Sequence, residues 1–585
     1  MKEAYDYSDT LIKTLTNEKK VIDVSKKFIQ QEDGAAKIRF SLELLKEKNL
    51  LPSAGDIFHP KNDAASLEAR NRGNQFFIKD KDYVAALECY NKSICLATSE
   101  SENLAIGYAN RSAIYLNAGF YKLCLENIEL AMKNNYPEKL KPKLEQRRKE
   151  CLELLNNNED SLEKFAKEIP EKVQLSYPAN EKMPILIEGL EYVTSEEFGR
   201  HIRAKQDLYP GDIIIVEKCF SKCLQNGSEY KRCANCLEPN YLNLIPCGKC
   251  TRAMFCSEKC QKEANSRFHR FECPILDGIF TLFNKITVIA IRTALFSLTM
   301  FDDPRELEAL ISEINVETES AFDLNYSNLT EQQHFRAIYA LATNESARSV
   351  ADLFQRSNLC AITWFLFRNH TNLSEILTTK CLEDLFLNML FRFGQAAAVN
   401  YHTLAAMAKS DDVLAGSFSP KQIGSGSFAL CSLLNHSCAP NVVRVGDGDK
   451  NIVIVNRVIK RGTQIFDNYG AHHCLEDLAE RQKILKDQYI FTCSCEACQN
   501  NYPLFSEFPI PTKFFLEMGN DEERIVRYDK EFAKKKFQDY KKLLIEYNDK
   551  YPCFEVCASQ EHFLACVRVL IGDVPLELQL KPLKN

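Results

Sequence analysis

The sequence predicts an α+β multidomain chain: helical repeats first, then a β fold split by a cysteine-rich metal module and a helical insert, then a second cysteine site and a helical tail. Three observations carry this reading. A helical, self-similar stretch occupies 66–156, and short strand-like runs with turn residues lie on both sides of the cysteine module. Of 24 cysteines in 585 residues, seven fall between Cys233 and Cys273 and three between Cys493 and Cys498. The length predicts several domains. A composition of 45% hydrophobic and 26% charged residues excludes disordered, collagen-like and coiled-coil classes. A net charge of −6 gives no chain-wide footprint for nucleic acid.

Taken in order, 1–65 reads as a helical lead-in, interrupted by the turn-forming Leu51-Pro52-Ser53-Ala54-Gly55. Within 66–156, the segments 73–97 and 108–137 repeat one pattern, with Asn74 and Asn110 at equivalent places 36 residues apart. That is close to the ~34-residue period of tetratricopeptide (TPR) helix pairs. Residues 138–155 read as a third, degenerate pair. A charged helical linker, 157–184, leads into 185–232, where 198–220 reads as two short strands around the turn Tyr209-Pro210-Gly211-Asp212. The cysteine module fills 233–273 and helical spacing returns over 274–410. Residues 411–475 carry strand-like runs at 452–458 and 464–466, 476–500 hold the second cysteine site, and 501–585 are again helical. The opening residues have no apolar core before a small-residue cleavage site, which argues against a secretory leader. The most apolar run, 286–300, contains Arg292 and follows Lys285, so it is too short and too charged to span a bilayer. In a reducing compartment, clustered cysteines bind metal or carry redox chemistry.

The first cluster reads Cys233-x2-Cys236, Cys247-x2-Cys250, Cys256-x3-Cys260 and His269-x3-Cys273. Eight soft or borderline ligands in four pairs would complete two tetrahedral zinc sites with no open position, which is the structural arrangement. Its excess of Lys and Arg over Asp and Glu reads as a solvated surface. Cys493-x-Cys495-x2-Cys498 supplies three thiolates and needs a fourth, for which Cys438 of the segment Asn435-His436-Ser437-Cys438-Ala439-Pro440-Asn441 is the candidate. The other 13 cysteines, Cys89, Cys95 and Cys124 among them, have no pairing pattern and read as small core hydrophobes.

The four-pair spacing resembles a MYND finger. The segments 435–441, 465–470 and 487–498 resemble the core and post-SET segments of SET-domain protein lysine methyltransferases, and 198–217 looks like the opening of the same domain. Their order resembles the SET and MYND domain-containing family, in its TPR-bearing branch, over roughly 66–500. The resemblance implies a split SET-type β fold with an inserted MYND zinc finger. It implies interleaved ligands: Cys233, Cys236, Cys256 and Cys260 on one zinc, Cys247, Cys250, His269 and Cys273 on a second, and Cys438, Cys493, Cys495 and Cys498 on a third. It also implies S-adenosylmethionine, held by Phe198, Gly199, Arg200, His201, Asn435, His436 and Phe491. Tyr469 would stand catalytically at the mouth of the methyl-transfer channel, beside the cofactor, and Tyr489 would line the lysine channel. Two departures stand in the strand that aims Tyr469: Thr463 and Gln464 follow Gly462 where many SET domains carry acids, and Asn468 precedes the tyrosine.

The residue types suit that chemistry. A lysine amine must be neutral to attack a sulfonium methyl, yet free lysine is protonated at neutral pH. An aromatic-lined channel lowers its pKa by desolvation, and the nearby sulfonium charge acts in the same direction. The expected function is therefore methyl transfer to lysine of a histone or non-histone protein. The rival is a non-enzymatic adaptor in chaperone or corepressor complexes, with the SET fold kept as scaffold. Arg70, Asn74, Asn110, Lys143 and Arg147 resemble a clamp for the acidic C-terminal tails of heat-shock chaperones, since basic groups and amides suit a terminal carboxylate. The finger would take proline-containing peptides. A monomer in cytoplasm and nucleus, without membrane or nucleic-acid partners, completes the expectation.

Overall fold

The computed structural model describes residues 3–163, 173–196, 198–237, 242–410, 417–572 and 574–580, apart from the side chains at 512–515, 576 and 579. Part of the linker predicted for 157–184 therefore lies outside the described residues.

The lead-in is not a free prefix. Its helices Ala4–Asn17 and Gly34–Glu47 pack on the two long helices of the insert, Val350–His370 and Lys380–Asn400. Buried hydroxyls of Ser41 and Ser357 meet at 2.8 Å, Asn358 donates to Ser8 at 3.0 Å, and Arg39 reaches Glu383 at 3.4 Å. The repeats form antiparallel helices Asp63–Gln75, Tyr83–Leu96, Glu102–Asn117 and Tyr121–Lys133. Their starts are set by Asn62, Asp82 and Ser101, whose side chains accept from first-turn amides. Gly73 is needed where the helices cross, because a Cβ there would stand 2.6 Å from the Tyr90 ring. In place of a third pair at 138–155, a short turn at Glu138–Leu140 leads into one helix, Lys141–Asn157, with Pro142 in its first turn.

The β fold is assembled from distant segments. Strand β1 (Leu190–Ser195) pairs antiparallel with β2 (Gly199–Ala204), and β3 (Ile213–Lys218) lies outside the C-terminal strands. The two strands around Tyr209 thus do not pair with each other, and 173–184 is irregular where a helical linker is predicted. Strand β4 (Lys222–Leu224) is followed by the finger, whose β5 (Ile245–Pro246) and β6 (Met254–Phe255) pair antiparallel. The end of the helical insert is a further correction: 402–409 forms strand β7 (His402–Lys409), paired with β8 (Phe418–Gly426) in the order β4-β8-β7. Strand β9 (Asn435–His436) runs parallel to β12 (Phe466–Asp467), while β10 (Val442–Asp447) and β11 (Lys450–Val455) complete the sheet β10-β11-β3.

Helices Thr512–Val526, Lys530–Glu546 and Phe554–Ile571 form the C-terminal layer, whose core includes Ile525, Tyr540, Leu544 and Phe563. No helix among the described residues is long and apolar enough to cross a membrane.

The 13 unassigned cysteines do not all enter the core. Nine are buried, but Cys381 is exposed and Cys89, Cys474 and Cys553 are half-buried. Cys381 lies one residue into the helix Lys380–Asn400, where its thiol faces Glu308 at 2.8 Å.

Candidate active site and metal centres

The parallel pair β9/β12 places Asn435 opposite Phe466 and His436 opposite Asp467, bringing three remote segments together. Glu217 on β3 secures the approach to β9: its buried carboxylate accepts from the amides of Leu430 and Cys431 at 2.8 and 2.7 Å. Burial raises its pKa, and those hydrogen bonds act in the opposite direction. Asn435 Nδ2 donates to the carbonyl of Phe198 at 2.9 Å, fixing the turn before β2. In that turn Gly199 has φ +61°, and a Cβ would find open space there. The requirement for glycine is therefore conformational. Phe198 is 37% exposed and its ring meets those of His201 and Phe466 edge-on. Arg200 donates to the Glu319 carbonyl at 3.2 Å, while His201 is buried and its Nδ1 lies 3.0 Å from the Gly199 carbonyl.

His436 is the hub. Its Nδ1 accepts from the Tyr469 amide at 3.0 Å, and its ring centroid lies 5.2 Å from Tyr469 and 6.1 Å from Phe491. Burial pulls its pKa down to about 4, so it stays neutral and can accept. Tyr469 donates through its hydroxyl to the Leu434 carbonyl at 2.7 Å; Tyr489 donates to the Tyr469 carbonyl at 3.0 Å, with ring centroids 4.8 Å apart. Burial raises the Tyr469 pKa, keeping the phenol protonated. Asn468, the residue before it, ties the turn: its Nδ2 donates to Ser437 and Ala471 carbonyls at 3.1 and 2.8 Å, and its Oδ1 accepts from Gly470 at 2.8 Å. Gln464 is less well served, since both its side-chain polar atoms are buried without a partner.

A cavity of about 800 Å³ opens beside this cluster, between the strands and helix Phe554–Ile571. Among the residues predicted for cofactor and channel, Tyr469 and Tyr489 line it, whereas 198–201, Asn435, His436 and Phe491 do not. The two tyrosines thus belong to both environments. In the cavity wall itself, Arg444 pairs with Asp467 at 2.6 Å and donates to His402 Nδ1 at 2.5 Å. No sequence pattern marked this buried charge system, because its members are separated by up to 65 residues.

Among the described residues, four groups of potential metal ligands have their ligand atoms within 4.8 Å of one another. The first three are Cys233, Cys236, Cys256, Cys260; Cys247, Cys250, His269, Cys273; and Cys438, Cys493, Cys495, Cys498. Separations of 3.6 Å for Cys236–Cys256, 3.7 Å for Cys247–Cys273 and 3.6 Å for Cys438–Cys498 match the edge of about 3.8 Å that a tetrahedron with ~2.3 Å Zn–S bonds requires. These donor sets fit zinc. The fourth group, His472, His473 and Cys474, was not singled out from the sequence. His473 Nδ1 must donate to the Pro503 carbonyl at 3.0 Å, so Nε2 is left to accept from the Tyr551 hydroxyl at 2.7 Å. Both nitrogens are used, and His473 serves as a buried post for the C-terminal layer.

In the repeats, Asn74 Oδ1 accepts from Asn110 at 2.8 Å and from Tyr90 at 2.9 Å. Arg70 Nη1 is buried without a hydrogen-bond partner among the described residues. Arg147 is turned to the Ala109 carbonyl and Ser112 hydroxyl, at 2.5 and 2.9 Å, and Lys143 is exposed.

Residues 199–470 match the SET domain. Over 553 residues the chain is 24% identical to the protein-lysine N-methyltransferase SMYD4 of Danio rerio, covering 82% of this chain and 71% of that protein. The human SMYD4 is 25% identical, covering 75% of this chain and 67% of its own length. The histone-lysine N-methyltransferase SMYD3 of Mus musculus is 28% identical over 53% of this chain and 61% of its own. Residues 199–470, which bring Asn435, His436 and Tyr469 together, match the SET domain, and the chain resembles the SMYD4 protein-lysine N-methyltransferases over most of its length.

Proposed function

We propose that the chain is an S-adenosylmethionine-dependent protein-lysine N-methyltransferase. The observation that carries this reading is that Tyr469 and Tyr489 stand in both the Phe198–His436–Phe491 cluster and the large cavity. The open, positive-φ turn at Gly199, the exposed Phe198 ring and Asn435 suit a flat, polar cofactor there. The cofactor supplies an electrophilic methyl group. The chain's own residues admit a lysine from the cavity, strip it of water beside the two tyrosine rings and so favour the neutral amine. Tyr469, held by Leu434 and His436, orients that amine; alignment supplies most of the rate. Three zinc ions on the three cysteine-rich groups would fix the finger and the wall formed by Cys438 with the 493–498 segment.

Around the catalytic unit, the repeats would grip an acidic chain terminus at Arg70, Asn74 and Asn110, the finger would take proline-containing peptides, and the protein would act as a monomer in cytoplasm and nucleus. The unpartnered, buried Arg70 Nη1 supports the first of these. Calorimetric titration with S-adenosylmethionine tests the central reading. Stoichiometric binding is expected, with Tyr469→Phe keeping that affinity while losing roughly 100-fold in transfer, about 2.7 kcal/mol at 1.36 kcal/mol per decade. Absence of binding by the zinc-loaded wild type would refute it.

A further inference from the structure

The helix Phe554–Ile571 presents Cys557, Gln560, Glu561, Leu564 and Arg568 to the large cavity, a stripe at helical spacing. Cys557 lies next to Cys474, close in sequence to Tyr469, so this end of the stripe adjoins the catalytic tyrosine. Arg568 stands eleven residues further along, which at ~1.5 Å per residue is roughly 16 Å away. Its guanidinium has no hydrogen-bond or ion-pair partner among the described residues, although it lines the cavity. Glu561 is two turns earlier, about 10 Å along the helix, and acts on it only through space. Burial lowers the Arg568 pKa, and the charge of Glu561 offsets that only in part.

The opposite wall shapes what can enter. Strands β7 and β10 both line the cavity and lie against each other, Gly446 beside the Ala405 backbone. This continuous wall suits an extended segment lying along it. At ~3.3 Å per residue, the roughly 16 Å from the tyrosine end to Arg568 corresponds to about five residues of such a segment.

We infer that Arg568 is a specificity-determining residue, which pairs with a carboxylate side chain about four to six residues from the target lysine of an extended substrate. This rests on the methyltransferase reading of the same cavity. A desolvated guanidinium favours a planar carboxylate, with which it forms two parallel hydrogen bonds.

The test uses the full chain and fluorescein-labelled thirteen-residue peptides with a central lysine, in which a single Glu, Gln or Lys is walked through every other position. Binding is read by anisotropy and transfer by labelled S-adenosylmethionine, for wild type, Arg568→Gln and Arg568→Glu. Wild type is expected to bind Glu about 10-fold more tightly than Gln at one position four to six residues from the lysine. Arg568→Gln should abolish that preference, and Arg568→Glu should reverse it toward Lys, with cofactor affinity unchanged in both. No such position in wild type, or a Glu preference that survives Arg568→Glu, overturns the inference. Binding preference without transfer to any peptide counts against the methyltransferase reading alone, and transfer without preference counts against Arg568 alone.

Discussion

Replacing Arg111 by Met should open the seam between the repeats and the finger. Arg111 is fully buried, yet comes from the repeat helix Glu102–Asn117. It donates to Asn127 at 2.7 Å and Asn91 at 2.9 Å within the repeats, and to the Leu244 carbonyl at 2.8 Å and Asn243 at 3.0 Å in the finger. Methionine fills much of the volume but donates nothing. Asn243 Oδ1 keeps a second donor, Asn127 Nδ2 at 2.8 Å, so three acceptors lose their only bond to Arg111 in a site closed to water. At about 1–3 kcal/mol for each unsatisfied acceptor, less the desolvation relieved by removing the guanidinium, the net loss is about 3–5 kcal/mol. Hydrogen exchange of amides in helix Glu102–Asn117 and in the β5/β6 hairpin measures it, with Arg148→Met as control. Arg148 is 53% exposed, and its contact to Glu129 is 3.9 Å, so its removal should cost under about 0.5 kcal/mol. Zinc content should stay at the wild-type level in both variants. If Arg111→Met falls within about 1 kcal/mol of the control, the latch reading is refuted.

Three further outcomes are expected. Gly199→Ala imposes a left-handed conformation on a residue with a Cβ at a cost of ~1–2 kcal/mol, and should weaken S-adenosylmethionine binding about 10-fold by calorimetry; unchanged affinity would remove the conformational argument. Gln464→Met replaces an amide whose two polar atoms are buried without partners, and should raise stability by about 1 kcal/mol in thermal melts, whereas a lower midpoint would count against the reading. Burial pulls the His334 pKa to about 4, below the ~6.5 of an unfolded chain. Above ~6.5 the folded and unfolded histidine are both neutral. As pH falls from ~6.5 to ~4 the unfolded chain takes up the proton first, so stability falls by about 3 kcal/mol across that window. His334→Leu should flatten this part of the pH–stability curve, and an equally steep fall would show that other groups cause it.

Much of the site was legible because its chemistry is written in short, dense patterns. Four ligand pairs within 233–273 and the 493–498 triplet are recognisable without coordinates, since tetrahedral thiolate sites demand closely spaced donors. Asn435, His436 and Cys438 lie on one short segment, so the link between the β9/β12 pair and a cysteine site was also visible. What escaped were features made by long-range pairing. Strand β7 is short and apolar and follows a long helix, so its local pattern reads as more helix; only its eight-residue ladder with β8 decides it. The two strands around Tyr209 look like a hairpin locally, but β3 is claimed by β11, more than 230 residues later.

The sequence by itself determined the composition of the chain: helical repeats, a cysteine finger inserted in a β fold, a second cysteine site, and Tyr469 as the residue on which transfer would turn. The repeats and the cysteine sites follow from periodicity, spacing and residue type, which are properties of neighbours in the chain, whereas the role of Tyr469 is what the resemblance to SET-domain proteins implies. Tertiary structure alone decided that the lead-in helices wall the insert, that Arg111 latches repeats to finger, and that Arg568, without a hydrogen-bond or ion-pair partner among the described residues, stands in the same cavity as Tyr469. Burial and the presence or absence of a charge partner depend on groups hundreds of residues apart, and such distances are set by packing.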